Sequence, residues 1–203
     1  GKKGTLIAEP LERGFGLTLG NAIRRVLLSS LQGAAITSVK IKGVVHEFST
    51  IPGVKEDLTD ILLNLKSIAV KVHSSGLKKM YIKATGPGEI RAGNFETDSE
   101  TEIMNSDQLI MTLDTNADIE IEANIETGKG YVSAEVAKDE NKIIGEIKLD
   151  AMFSPVVKAT YKIENSRVGQ VTDFDKLIFE VETNGVISPD DAIALAARIL
   201  QDQ

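Results

Sequence analysis

The sequence predicts an α+β protein in which the two chain ends together build one α/β domain and a mostly β domain is inserted between them. Three observations carry that expectation: an amphipathic helical stretch near the N-terminus, a long middle of short strand-like runs and turns, and a strand–strand–helix pattern at the C-terminus. At 203 residues the chain is long enough for one large or two modest domains, each with its own core. With 42% hydrophobic and 26% charged residues it has the composition of a folded protein, and with no tryptophan and 4% aromatics that core has to be aliphatic.

Thr18 to Leu31 reads as one helix. At about 100° per residue, Leu19, Ala22, Ile23, Val26 and Leu27 form an apolar stripe, while Leu28 falls on the opposite side with Asn21, Arg24 and Arg25. The stripe needs a core. A leucine beside two arginines on the other face is either the anchor-plus-arginine composition of a protein interface or a single stray exposed leucine. Val39 and Ile41 then alternate with Lys40 and Lys42, the period of a strand with one wet face. Val54, Leu58, Ile61, Leu62 and Leu65 return to helical spacing, with charged and polar residues opposite, and read as a core-packing helix.

From about Ser67 to Ile147 strand-like runs alternate with turns such as Gly86-Pro87-Gly88 and Gly128-Lys129-Gly130. Within this region Ile119, Ile121, Ala123 and Ile125 interleave with Glu120, Glu122 and Asn124, which predicts a half-buried strand with acids outward. After Pro155 come two strands, over 157–164 and 176–183, the second with Leu177, Phe179 and Val181 on one face. The last helix is marked by Ser188 as N-cap, Pro189 at its first position and Asp190 and Asp191 in its first turn, where they complement the helix dipole. Its body, Ala192 to Leu200, is apolar around most of its circumference, as in a helix that is deeply buried or covered by another subunit. The pattern reaches Gln203 without a C-cap signal, so the helix is expected to continue beyond it.

Several function classes are disfavoured. A net charge of -7 speaks against a broad nucleic-acid-binding surface, so work at DNA would go through partners. With no cysteine there is neither a disulfide framework nor a thiolate metal site, which suits a reducing cytoplasm. No apolar run approaches the ~20 residues that span a bilayer, and the first ten residues do not read as a signal peptide. Gly14-Phe-Gly-Leu-Thr-Leu-Gly20 has its third glycine one position late for a dinucleotide fingerprint, and reads instead as a tight turn and a close helix approach. Asp173 and Asp175 could be a metal-binding pair, but without a third acid nearby a turn with solvated carboxylates is the simpler reading. His46 and His73 have no partner at a spacing suited to zinc or to general-base work. Lys138 to Lys142 is a charge run expected in an exposed loop. By elimination the chain reads as a binding protein. The competing class is a stand-alone enzyme using carboxylate or cofactor chemistry in the inserted domain, which metal- or nucleotide-dependent stabilisation would reveal.

Five segments carry a more specific signal: EPLERGFGLTLGNAIRRVLLSSL from Glu9, GVVHEFSTIPGVKEDLTDILLNLK from Gly43, DAMFSPV from Asp150, YKIENSRVGQVTDFDKL from Tyr161 and ETNGVISPDDAIALAARIL from Glu182. In the same order they resemble the N-terminal domain of the bacterial RNA polymerase alpha subunit. The resemblance implies that residues 1–32 and 156–203 form a dimerisation domain around an insert at 33–155. It further implies a cytoplasmic homodimer without cofactor or metal, a non-catalytic platform on which the beta and beta-prime subunits of DNA-directed RNA polymerase assemble. These residues would touch neither DNA nor membrane. On that reading Leu19, Ile23, Val26 and Leu27 pack with Ile193, Ala196, Ala197 and Leu200 across a two-fold axis. Arg24, Arg25, Leu28, His46 and Phe48 match positions that contact beta, and Lys66, Ser154 and Val156 match positions implicated in beta-prime binding. Taken without the resemblance, Phe48 and Val156 could equally be core residues and Lys66 a solvated charge. Thr127-Gly-Lys-Gly-Tyr131 departs from the family's arginine-rich turn, and the family's linker and DNA-binding C-terminal domain are expected after Gln203. Archaeal and eukaryotic-type homologues, a weaker match, divide the role between two different chains.

Overall fold

The computed structural model describes residues 2–46, 48–137 and 144–202. In chain order the elements are β1 (Lys3–Glu12), α1 (Phe15–Ser29), β2 (Gln32–Ile41), α2 (Leu58–Lys66), β3 (Val70–Val72), β4 (Lys78–Thr85), β5 (Gly88–Arg91), β6 (Thr101–Ile103), β7 (Leu109–Leu113), β8 (Asp118–Lys129), β9 (Tyr131–Val132), α3 (Ala134–Ala137), β10 (Glu146–Lys148), β11 (Ala151–Met152), β12 (Val156–Val168), β13 (Val171–Thr183) and α4 (Pro189–Gln201). They fall into two compact units, Gly1–Gln32 with Ser154–Gln203, and Gly33–Phe153.

The unit made from the chain ends is an antiparallel sheet in the order β1-β13-β12, with α1 and α4 packed on one face. Alternation along β13 puts Leu177, Phe179 and Val181 inward, all essentially inaccessible to solvent. Register then sets Leu6 and Tyr161 beside Phe179, and Gly4 and Ala159 beside Val181. Ile23, Val26 and Leu27 of α1 and Ala192 and Ala196 of α4 close the core over this face. α4 begins as its local signals predict: the Ser188 side chain accepts from the Asp191 amide at 3.1 Å and Pro189 occupies the first helical position. The β12–β13 hairpin is longer than its apolar pattern shows, because its outer part pairs through exposed, mostly polar residues. Asp173 and Asp175 therefore lie within β13, and not in the solvated turn the sequence suggested.

The second unit carries a four-stranded sheet in the order β10-β2-β8-β4, together with three two-stranded ribbons. β8 is the strand the alternation predicts: Ile119, Ile121, Ala123 and Ile125 are buried and share a core with Leu58, Ile61, Leu62 and Leu65 of α2. Its acids point the other way and are engaged across the ladder with β4, Lys79 Nζ reaching Glu122 at 2.8 Å and the Tyr81 hydroxyl donating to Glu120 at 2.7 Å. Gly128 and Lys129 belong to β8, so the turn expected there begins at Gly130, which has φ +66°. The charge run Lys138 to Lys142 lies outside the described residues.

Candidate docking surfaces

α1 is tied to its sheet at every turn, and the ties explain the glycines before and within it. Its N-cap, Gly14, has φ +88° and no side chain to satisfy the first amides. Asp175 of β13 supplies the missing acceptor: one carboxylate oxygen accepts from Gly14 N at 2.9 Å and Gly16 N at 3.1 Å. One turn on, Gly20 lies under Tyr161, so close that a Cβ there would sit 2.7 Å from the ring. The Tyr161 hydroxyl donates to Asn21 Oδ1, and its ring stacks on Phe179 at 5.8 Å between centroids. Arg24 Nε donates to the Ala159 carbonyl at 3.1 Å. In the last turn the buried Ser154 hydroxyl donates to the Leu27 carbonyl at 2.9 Å and accepts from Val156 N at 3.2 Å.

The residues that the resemblance implies at interfaces differ in exposure. Ile23, Val26, Leu27 and Ala196 are buried in the chain's own core. Of the residues expected at a dimer seam, Leu19, Ile193 and Leu200 are half-buried and Ala197 is exposed. Leu28 is also half-buried against the same core, so the solvent face of α1 is narrower than periodicity implied. Arg24 and Arg25 are exposed on it, and Arg25 has no hydrogen-bond or ion-pair partner among the described residues. Sequence reasoning missed Leu17, 53% exposed, which lies with Asn21 and Arg25 at i, i+4 and i+8 on one line of the helix. The spacing was readable once the helix was known to start at Phe15. Ser154 and Val156 are both buried.

In the second unit, His46 and Phe48 follow β2 on an exposed loop, where Phe48 N donates to His46 Nδ1 at 3.1 Å. Phe48 is 83% exposed, and not the core residue that its type alone would suggest. Lys66, exposed at the end of α2, stands 3.7 Å from Asp150. The Ala134 amide, donating at 2.7 Å, holds the Asp150 carboxyl below its ordinary range against the opposing effect of burial, helped by the Tyr131 hydroxyl and Lys66. Phe48, Leu63, Lys66, Leu149 and Asp150 line one open groove of about 390 Å³, so two residues expected to meet different partners share a surface.

Among the described residues no three His, Asp or Glu side chains come together as a metal site would require, and His73 pairs only with the exposed Glu102, at 3.6 Å. Among the described residues, too, no helix is long and apolar enough to cross a membrane. The family model described as the RNA polymerase Rpb3/RpoA insert domain matches residues 39–154. That span takes in the β-rich unit almost entirely, with both Phe48 and Lys66, and amounts to more than half of the chain. The chain belongs to the RNA polymerase Rpb3/RpoA insert domain family, and is thus an RNA polymerase subunit of the alpha type.

Proposed function

We propose that this chain is a non-catalytic scaffold of bacterial DNA-directed RNA polymerase, a cytoplasmic homodimer that gathers the beta and beta-prime subunits at the start of core assembly. The observation that carries the reading is Arg25: an arginine without an internal partner, on the same side of α1 as the exposed Leu17 two turns earlier, on a helix whose every turn is anchored. A planar guanidinium held out on a rigid element suits desolvated pairing with a carboxylate, and an apolar side chain two turns along the same side supplies area. Beta is the partner we assign to this line of α1, together with His46 and Phe48.

Two copies would pair through what the core leaves uncovered on the helices. On α4 that is Ala197 with half-buried Ile193 and Leu200, which share one face; on α1 it is Leu19. A C2 seam requires such a surface to be self-complementary, and small and branched apolar residues on two helices meet that requirement. Lys66 is the residue we offer to beta-prime, while Ser154 and Val156 would influence assembly through the seat of α1 and not by contact.

Mixing the purified chain with beta, and following the complex by size-exclusion chromatography with light scattering, tests dimer, partner and stoichiometry together. The expected result is a dimer that captures beta. A chain that stays monomeric at micromolar concentration and leaves beta free overturns the reading.

A further inference from the structure

Arg24 and Arg25 are neighbours in α1, both exposed, and the family resemblance treats them alike. Their surroundings differ. Arg24 Nε donates to the Ala159 carbonyl of β12 at 3.1 Å, whereas Arg25 has no partner among the described residues. Leu28, one turn after Arg24 and on the same side of the helix, packs against the core beneath. The flank that carries Arg24 and Leu28 is therefore turned toward the sheet, and Arg25, about 100° further round, is left outside. β12 is an edge strand of the sheet, so Arg24 gives one of its carbonyls a donor from the helix.

We infer that Arg24 is a positioning residue and not a contact for beta: its Nε–H, bonded to Ala159, fixes the rotation of α1 on β12 and with it the direction in which Arg25 leaves the helix. The inference rests on the reading of Arg25 as the beta contact. What matters at position 24 is then a hydrogen-bond donor at a set distance from the backbone, and not a positive charge. Glutamine carries its amide nitrogen the same number of bonds from Cα as arginine carries Nε, and is neutral. Lysine keeps the charge but places a methylene at that point.

The test compares Arg24→Gln, Arg24→Lys and Arg24→Ala with Arg25→Gln and Arg25→Lys in the full chain. Two quantities are read: the dissociation rate of the complex with purified beta, and amide hydrogen exchange in α1. Dissociation is the better rate because a change in net charge alone acts mainly on association. Arg24→Gln should release beta within about twofold of the parent, while Arg24→Lys and Arg24→Ala release it roughly five- to tenfold faster, the worth of one hydrogen bond. At position 25 the order should reverse, lysine losing less than glutamine. Exchange in α1 should quicken in Arg24→Lys and stay unchanged in Arg24→Gln.

Parent-like behaviour of Arg24→Lys combined with weakened Arg24→Gln would make Arg24 a charge contact and overturn the inference. So would parent-like behaviour of all three variants, or equal α1 exchange in the lysine and glutamine forms. If the parent itself fails to capture beta, the docking reading falls, and the exchange measurement alone decides whether Arg24 holds the helix.

Discussion

Replacing Asp175 by alanine removes the only acceptor that the described structure provides for the first amides of α1, because the helix's own N-cap is a glycine. Loss of an N-cap side chain costs about 0.5–2 kcal/mol. Asp175 belongs near the top of that range, since one charged oxygen serves two donors, at 2.9 and 3.1 Å, and the bond to Gly16 is partly buried. We expect about 2 kcal/mol. With a urea m-value of about 2 kcal/mol/M, this moves the unfolding midpoint down by roughly 1 M without changing the slope. Asp175→Asn separates geometry from charge: an amide oxygen can still accept from both amides but lacks the attraction to the helix dipole, so it should lose only about 0.5–1 kcal/mol. Urea titration followed by circular dichroism reads both variants. A midpoint shift below about 0.3 M for the alanine variant, or equal shifts for the two, would refute the claim that α1 is capped from β13.

Gly20→Ala gains helix propensity but drives a methyl into the Tyr161 ring, and should destabilise by a net of about 1–2 kcal/mol in thermal or urea unfolding. Ser154→Ala leaves a buried carbonyl of α1 and the Val156 amide without their partner, a loss of about 1–3 kcal/mol by the same measurement. Arg25→Ala should unfold within about 0.5 kcal/mol of the parent, having no internal bond to lose, yet weaken capture of beta at least tenfold. The Asp150 carboxyl has a folded-state pKa below its unfolded value, so its contribution is present above about pH 4 and is lost as the pH falls through the folded value. Stability against pH should accordingly fall less steeply below pH 4 in Asp150→Asn than in the parent.

Elements with local signals were legible from the residues. α4 carried its cap, its proline and its acids within four residues, and β8 showed an unbroken apolar–polar alternation that the structure buries on one side. Three features were not legible, each for its own physical reason. α1 starts at Phe15 and not Thr18, because its cap comes from β13. The outer hairpin of β12 and β13 has no core to cover and hence no apolar period, so Asp173 and Asp175 looked like a turn. Periodicity placed Ile23, Val26 and Leu27 on one stripe, but a stripe is the same whether it faces the chain's own sheet or another subunit. Phe48 and Lys66 were singled out by resemblance; that they border one groove only the fold could show.

The acceptor for the opening amides of α1 lies 161 positions further along the polypeptide. A ribosome releases Gly14 long before it has made Asp175, so α1 emerges with its first turn uncapped. Residues 33–153 leave the exit tunnel in the interval, and can condense while both flanking pieces are still apart. Closure between so widely separated partners is costly and slow, which sets the order of events: a helix written before the insert is finished only after it, and a polymerase that recruits through it would have to wait until β13 has been made.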